Sequence, residues 1–379
     1  MKYLVHALAI SLFFVGCDKG GGSFSVLSES STFSQEVTYT PRKLDVLFVV
    51  DNSGSMNNFQ QQLVDNFSTF IDRFITRGYD FRIAVTTTEA YRYPQLVRDN
   101  PGACFSFCEE ARVQFRRGSV SNPYVIDKAN YDLTTSAGKT LLKNDFIANA
   151  HMGADGSGDE RVFSAFMSAL NYTTNANGTT SPNAGFHRPD AFLAIVSISD
   201  EEDFSQIGAS AFNESYSNPN LVPVAQYKTN LEAFTHGIAG TDFSYSTISI
   251  LDQTCLNTLD PNNQSNPGAA IGRKIGIRYK QLADLTGGTK NSLCQTFDTS
   301  LDNISSSIEG QSDATFVLTK SPIVSSIRLI VDGLLVPQSA TEGWTYTAAT
   351  KTLKINGTVY KPVSGATIKL NYDPDLSAP

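Results

Sequence analysis

Three oxygen-bearing side chains follow a short apolar segment near the start of the chain. The segment is Leu44–Val50, and Asp51, Ser53 and Ser55 come next. An apolar run rich in β-branched residues is typical of a strand that is buried on both faces of a parallel sheet. One carboxylate and two hydroxyls are therefore gathered on one turn at the carboxyl end of a strand. Such hard oxygen ligands suit a hard cation that keeps several waters, which favours Mg²⁺, with Mn²⁺ and Ca²⁺ as alternatives.

The same turn also fits a plain strand-to-helix connection, because Asp and Ser are favoured helix caps and Gly54 permits the bend.

A cluster of acidic residues after a later strand favours the metal site. The apolar run 191–199 ends at Asp200, and three more acidic residues occupy 201–203. In a doubly wound sheet the first and fourth strands are neighbours where the strand order reverses. We therefore expect Asp51 and Asp200 to meet at one edge of the sheet.

Strand and helix patterns alternate over residues 43–310, which predicts an α/β fold: a doubly wound, mostly parallel sheet with helices on both faces. Within it, the Pro-containing segment 89–130 reads as an insertion with one edge strand near 112–116. Alternation without helices follows over residues 313–379 and predicts a small all-β, sandwich-like domain. Its single tryptophan, Trp344, is expected to anchor the core.

The N-terminal residues resemble a bacterial lipoprotein signal. Residues 3–16 form an apolar stretch that is too short to span a bilayer, and they end at Cys17 in a sequence similar to a lipobox. We interpret 1–17 as a signal peptide with a lipidated Cys17; the alternative is an ordinary secretory signal with an incidental cysteine. Residues 18–42 are rich in Gly, Ser and Thr and predict a flexible tether. The expected location is the bacterial cell envelope, lipid-anchored at the outer membrane or the periplasmic face of the inner membrane.

Four cysteines remain besides Cys17, and an even number in an exported protein predicts two disulfides. Cys255 and Cys294 each follow a predicted strand at the same end of the sheet, so we expect them to pair. Cys104 and Cys108 would then close a very short loop. Zinc binding by this second pair is the alternative, but no further Cys or His pair lies nearby in the sequence.

Composition and motifs narrow the function classes. The 379-residue chain has a formal net charge of −8, which argues against a surface for nucleic acid or anionic lipid. The chain has no His-Glu-x-x-His, Gly-x-Ser-x-Gly or Walker sequence. We therefore predict that the protein is not an enzyme.

The spacing of Asp51, Ser53 and Ser55 after an apolar strand resembles the metal-ion-dependent adhesion site of von Willebrand factor type A (VWA) domains. The resemblance spans about residues 44–308, and the acidic run 199–203 at the predicted fourth strand is similar to that of exported bacterial members. It implies that both serines coordinate the metal directly. It also implies that Asp51 and Asp200 act directly or through water, and that one position stays open for a partner's carboxylate.

The resemblance leaves one ligand undetermined. The family usually supplies a threonine from a loop that corresponds to 153–161 here, and this loop contains no threonine. Ser157 is the predicted fifth ligand, with Asp155 and Asp159 as alternatives.

The sequence thus predicts an envelope lipoprotein that binds a protein or glycan partner through a metal-bridged carboxylate. A structural scaffold whose metal only stabilises the fold is one alternative. An envelope hydrolase is the other, because Glu201 and Asp203 form a pair of nearby carboxylates.

Overall fold

The computed structural model describes residues 33–38, 41–100, 102–103, 106, 108–208, 213–261, 272–312, 315–357 and 359–376. The predicted signal segment, with Cys17, lies outside these residues, as does Cys104. In the part that is described, no helix combines the length and the apolar character needed to cross a membrane.

Strands and helices alternate through most of the described chain. The strands are β1 (Phe33–Thr38), β2 (Leu44–Val50), β3 (Phe81–Thr87), β4 (Val125–Asp127), β5 (Phe192–Ser199), β6 (Phe243–Ser249), β7 (Lys290–Ser292), β8 (Thr315–Val317), β9 (Arg328–Val331), β10 (Leu334–Val336), β11 (Gly343–Thr347), β12 (Thr352–Asn356) and β13 (Thr367–Tyr372). The helices are α1 (Asn57–Arg77), α2 (Ser136–Ala150), α3 (Val162–Asn171), α4 (Val224–Thr235), α5 (Gln253–Leu259), α6 (Ile277–Thr286) and α7 (Phe297–Ser312).

A six-stranded sheet with the order β4-β3-β2-β5-β6-β7 forms the centre of the fold. Its strands are parallel except for the edge strand β4, which is antiparallel to β3. β2 and β5 are direct neighbours, with Val50 opposite Ile198. The predicted α/β fold is confirmed, and the carboxyl ends of the two strands that carry the acidic residues lie side by side.

Helices cover both faces of this sheet because β2 is apolar on both sides and buried along its whole length. Val46 and Phe48 contribute to a core with α1, α2 and α7. Leu47 and Val49 face the opposite core, with α3, α4 and α6. The Phe48 ring has its centroid 5.2 Å from that of Phe70 on α1, so the aromatic stripe of that helix is part of the core.

The insertion after β3 differs from its prediction. No strand forms near 112–116: Glu110–Arg112 is a single 3₁₀ turn, and one backbone bond, from Arg116 N to Val85 O (2.7 Å), reaches β3. The edge strand is instead β4, twelve or so residues later. Whether a short segment forms an edge strand depends mainly on its pairing with the neighbouring strand. The sequence of such a segment therefore gives little indication of its position.

The strands after α7 build two antiparallel sheets, with the orders β1-β13-β9-β10 and β11-β12-β8, the first of which also includes β1. Their inward side chains form one core, in which Trp344 is 4% exposed. Trp344 is therefore a core residue, as expected. Asp332 and Gly333 join β9 to β10 with positive φ angles of 47° and 83°, a conformation that tight hairpin turns require.

One strand of this β unit comes from the other end of the chain. β1 pairs antiparallel with β13, with Phe33 opposite Tyr372 and Thr38 opposite Thr367. The flexible tether predicted over 18–42 therefore does not extend through residues 33–38. The local sequence cannot indicate this strand, because its hydrogen-bonding partner lies more than three hundred residues away in the chain.

The β unit contacts the C-terminal end of α1. Ser364 N donates to Arg77 O, and the Arg77 guanidinium donates to Lys361 O, each over 3.1 Å. Gly78 ends the helix at φ 76°, and a Cβ there would lie 2.6 Å from Cβ of Ser364. Because α1 has 21 residues, this contact lies about 30 Å from the start of the helix.

Cys255 and Cys294 form the predicted disulfide, with their Cα atoms 5.6 Å apart. Cys255 lies on α5, a short helix that the sequence did not reveal, and Cys294 follows β7. Cys108 is disulfide-bonded as well. Its predicted pairing with Cys104 stays a prediction, because Cys104 lies outside the described residues.

Replacing both Cys255 and Cys294 by serine is expected to lower the free energy of unfolding. The bond closes a loop with a sequence separation of 39 residues, and the chain-entropy model gives a loss of about 3–4 kcal/mol. Urea denaturation of both proteins would measure it. A loss below about 1 kcal/mol would show that this cross-link does not restrict the unfolded chain as the model requires.

Candidate metal centre

The turn after β2 holds the Asp51 carboxylate inside the protein. Asp51 N extends the sheet by donating to Ile198 O (3.0 Å), and its side chain is fully buried. Oδ1 accepts from Ser53 N over 2.7 Å, and Oδ2 accepts from the Ser199 hydroxyl over 2.7 Å. The carboxylate is therefore fixed in orientation by one bond from its own turn and one from the end of β5.

Four of the five predicted metal ligands meet at this edge of the sheet. The Ser53 and Ser55 hydroxyl oxygens are 3.2 Å apart, and Ser55 Oγ donates to Asp200 Oδ1 over 2.9 Å. Ser55 lies in a 3₁₀ turn, Gly54–Met56, which is followed directly by α1. The arrangement follows from the parallel pairing of β2 and β5, which brings their carboxyl ends together.

Arg273 is the basic residue in direct contact with this group. Its Nε lies 2.7 Å from Asp200 Oδ2, and the next amide, Lys274 N, donates to Asp200 O over 3.1 Å. Asp200 is completely buried. Its Oδ1 faces the Ser55 hydroxyl, and the charge on its Oδ2 is offset by the Arg273 guanidinium. Arg273 was not predicted from the sequence, because it lies 73 residues from Asp200 and belongs to no recognisable motif.

Ser157, the fifth predicted ligand, lies on the neighbouring loop with other partners. Its hydroxyl accepts from Arg92 Nη1 (3.1 Å) and from Asp159 N (3.0 Å), and its amide donates to Glu89 Oε1 (2.8 Å). The loop itself touches the metal turn, because Gly156 N donates to Asn52 O over 2.8 Å. Its role as a ligand stays a prediction.

The two alternatives to Ser157 differ in exposure. Asp155 is exposed, whereas Asp159 forms an ion pair with Arg161, with Oδ1 2.8 Å from Nε. Neither carboxylate has a described bond to the aspartates or serines of the metal turn.

Two glutamates add buried negative charge beside the aspartates. Glu160 is 1% exposed and Glu201 is 6% exposed. Among the described residues, neither carboxylate oxygen of Glu160 has a hydrogen bond of normal geometry, and Oε2 of Glu201 also has none. Asn52 Oδ1 and Thr88 Oγ1 are buried and unbonded in the same way. Glu160 was not among the predicted ligands, although it is the acidic residue closest to the start of α3.

This crowding of acids makes ionisation costly without a cation. Burial, followed by repulsion from Asp200, raises the pKa of Asp51. Burial, followed by repulsion from Asp51 and Asp200, raises the pKa of Glu201 to about 8. Burial and then the Asp51 charge also raise the pKa of Glu160 well above its usual value.

The donor set fits a hard divalent cation. No group of three Asp, Glu, His or Cys side chains within the described ranges has metal-binding geometry. The cluster instead combines two aspartates with two hydroxyls, and buried, unbonded oxygens lie beside it. Hydroxyl and carboxylate oxygens with few charges are the ligands expected for Mg²⁺, and more carboxylate favours Ca²⁺. Asp51, Ser53, Ser55 and Asp200 are the residues that would hold the ion.

The stability of the protein in EDTA is expected to fall as the pH rises from 5 to 8. Glu202 has its pKa raised to about 7, chiefly by burial, and Glu201 to about 8. A raised pKa in the folded state means that the neutral acid stabilises the fold; this stability is present below about pH 4.5 and is lost as the pH passes 7 to 8. The melting temperature should drop by roughly 5 °C over this range.

Saturating Mg²⁺ should reduce this fall, because a cation held by Asp51 and Asp200 would offset the negative charge that raises the pKa of Glu201. Thermal denaturation at four pH values, with EDTA and with Mg²⁺, would measure both curves. A melting temperature in EDTA that rises between pH 5 and 8 would contradict the assignment of buried, neutral acids.

Comparison with known proteins adds little to these contacts. No family model matches the chain, and no curated protein matches it. A von Willebrand factor type A structure from Catenulispora acidiphila has 12% identity and a TM-score of 0.38, covering 90% of this chain and 61% of the other. The pilus adhesin SpaC from Lactobacillus rhamnosus GG has 11% identity and a TM-score of 0.38, covering 89% and 40%. Proximal thread matrix protein 1 from the mussel byssus has 12% identity and a TM-score of 0.37, covering 76% and 52%.

The chain therefore spans between 40% and 61% of the length of these three proteins. Likenesses of this size do not bear on the site or its chemistry. What the site can do follows from its own geometry.

Proposed function

We propose that this protein is a cell-envelope lipoprotein that binds a partner through a divalent cation held at the carboxyl ends of β2 and β5. The observation that carries the proposal is the hydrogen bond from Ser55 Oγ to Asp200 Oδ1, 2.9 Å long, which joins the two halves of a hydroxyl and carboxylate cluster. The partner is a protein or glycan that presents a carboxylate.

The chain's own residues would keep a bound ion electrophilic. Ser53 and Ser55 offer neutral oxygens, and Arg273 offsets the charge of Asp200. Asp51 is held by Ser53 N and the Ser199 hydroxyl, so part of its charge is already engaged. When bound, the cation supplies an open coordination position that attracts an external anion.

The placement of the β unit supports presentation of the site away from an anchor. α1 begins beside Ser55 and ends at Arg77, which contacts the β unit. β1 and β13, the described strands nearest the two chain ends, pair within that unit. A lipid on Cys17 would therefore attach on the chain segment that leads into the β unit, at the other end of α1 from the metal turn.

The hydrolase alternative is disfavoured by the contacts of Asp203. This residue is completely buried, its Oδ2 lies 3.0 Å from Arg278 Nε, and its Oδ1 accepts from Phe163 N over 2.9 Å. Both oxygens serve to fix α3 and α6, which leaves none for acid–base exchange with a substrate. We therefore propose a binding function without catalysis.

A pull-down from envelope extract would test the binding function. Immobilised protein should retain its partner in Mg²⁺ and release it in EDTA, and the same column carrying Ser53→Ala with Ser55→Ala should retain none in either buffer. Retention that is equal in Mg²⁺ and EDTA would contradict the metal-bridged mechanism and favour a scaffold whose metal is structural.

The lipid anchor has its own prediction. Expression of the full chain in a bacterium labelled with palmitate should give a labelled mature protein that begins at Cys17, and Cys17→Ser should abolish the label. The reason is the apolar stretch that ends in the lipobox-like sequence. An unlabelled, soluble product cleaved at another position would contradict it.

A further inference from the structure

The β unit carries an open apolar groove beside its edge strand β10. The groove has a volume of about 300 Å³, and the buried residues Trp344 and Val336 are part of its lining. Leu335 on β10 and Val324 also line it, and they are 59% and 38% exposed. Single exposed apolar residues are normal on a protein surface, but these two border one concavity that has an aromatic residue in its lining. Such a concavity has the form of a docking site.

The groove also contains a cation that pairs with no described acid. Arg328 lines the groove and is exposed. Its Nη1 donates to Ser325 O over 3.2 Å and to Ile327 O over 3.0 Å, and none of its described hydrogen bonds goes to a carboxylate. An occupant that complements this groove therefore combines apolar side chains with a nearby acid.

The path of the chain brings residues outside the described ranges close to this groove. In the sheet, Ser34 on β1 lies opposite Asn371, and Asn371 lies opposite Arg328. Neighbouring strands are about 4.8 Å apart, so the start of β1 lies about 10 Å from Arg328 and about 14 Å from β10. Residues 28–32, which precede β1, can span at most about 17 Å. The residues before them can therefore reach the groove.

The sequence that precedes β1 has the composition that the groove requires. Among residues 18–32 the apolar side chains are confined to Phe24, Val26 and Leu27, and Glu29 follows two residues later. A segment that serves only as a spacer needs no such cluster. Burial of one of these side chains would favour the docked state by about 10-fold.

We propose that the groove binds residues 24–27 of the same chain, with Glu29 placed beside Arg328. Docking in this way would extend the attachment of the N-terminal segment beyond β1 and across the end of the sheet. One consequence rests on the proposed lipid anchor, whereas the docking itself does not. With a lipid on Cys17, residues 18–23 alone would separate the anchor from the docked segment, and their reach is at most about 20 Å.

Cysteine cross-linking in the full-length protein tests the contact directly. Val26→Cys and Leu27→Cys are each combined with Leu335→Cys, because neighbouring residues of an extended segment point to opposite sides and one of the two should face the groove. After mild oxidation, one of these pairs should form a disulfide within a single molecule, which peptide mapping without reduction would identify. The control replaces Leu335→Cys with Val317→Cys, since Val317 is an exposed apolar residue on β8 outside the groove, and it should give no such link.

The reactivity of a cysteine at position 335 provides a second readout without any cross-link. The full-length Leu335→Cys protein should react with a water-soluble maleimide about 10-fold more slowly than the same protein with serine at positions 24, 26 and 27. The Val317→Cys thiol should react at one rate in both backgrounds. Position 335 is already exposed, so this substitution leaves the core unchanged.

Three results would overturn the inference. A disulfide between two molecules, in place of one within a molecule, would assign the groove to a second copy of the chain. Protection of the position-335 thiol by lipid vesicles alone, equal with and without the three serines, would assign it to a membrane surface. Equal maleimide rates in both backgrounds without any cross-link would show that residues 24–27 do not occupy the groove.

Discussion

Replacing Ser53 and Ser55 together by alanine is expected to weaken Mg²⁺ binding at least about 100-fold while the chain stays folded. The two hydroxyls are 3.2 Å apart and face Asp200, and each would supply one direct oxygen to the ion. The apolar strand Leu44–Val50 that precedes them is unchanged, so the cost in stability should stay near about 1 kcal/mol for the lost hydrogen bonds. Calorimetric titration with Mg²⁺ and urea denaturation in EDTA would measure both quantities.

Ser68→Ala is the control for this experiment, because Ser68 is exposed on α1 and far from the aspartates in the sequence. Ser68→Ala should change neither the Mg²⁺ affinity nor the free energy of unfolding. The account is wrong if the double variant binds Mg²⁺ as tightly as the unaltered protein, or if it binds the same partner with unchanged affinity in EDTA. The partner would then bind to the loops or to the β unit.

Replacing Arg188 by methionine is expected to destabilise the fold by about 3–5 kcal/mol. Arg188 Nη2 lies 2.8 Å from Oδ1 of Asp45, which is completely buried at the start of β2, and Nη1 lies 2.8 Å from Asp80 Oδ1. Without the guanidinium, the partners left to Asp45 among the described residues are the Arg188 amide and the His187 ring, 3.3 Å away. A buried carboxylate that loses its main counter-charge pays most of its desolvation cost.

Urea denaturation would measure this loss, with Arg98→Met as control. Arg98 pairs with Asp99 on the surface, where both side chains are more than half exposed, so its loss should cost at most about 1 kcal/mol. A loss below about 1 kcal/mol for Arg188→Met would show that Asp45 does not depend on this ion pair. Because the pair lies at the amino end of β2, Mg²⁺ affinity of the folded variant should not change.

The parts of the fold that are visible in the sequence are those with strong local patterns. β2 and β5 are continuous apolar runs, and β5 occupies the predicted residues Phe192–Ser199. α1 carries an aromatic stripe at helical spacing, and it forms as predicted within one residue at each end. The meeting of Asp51 with Asp200 followed from topology alone, since parallel strands that are neighbours end at the same edge.

The parts that the sequence did not reveal depend on distant partners. β1 exists because β13 offers it an edge, and β4 forms where β3 accepts it. Arg273 reaches Asp200 through tertiary packing, with no spacing rule to indicate it. The burial of Glu160 beside the metal-turn loop likewise appears only in three dimensions, because the local sequence is the same for an exposed loop residue.

Anomalous diffraction from crystals of the protein grown with Mn²⁺ is the most direct test of the central claim. The account predicts one strong peak within coordination distance of Asp51, Ser53 and Ser55, on the side that faces Asp200, which Mg²⁺ in excess removes by competition. A crystal with no peak at this edge of the sheet at saturating Mn²⁺, or with its only strong peak elsewhere, would contradict a metal site at the carboxyl ends of β2 and β5.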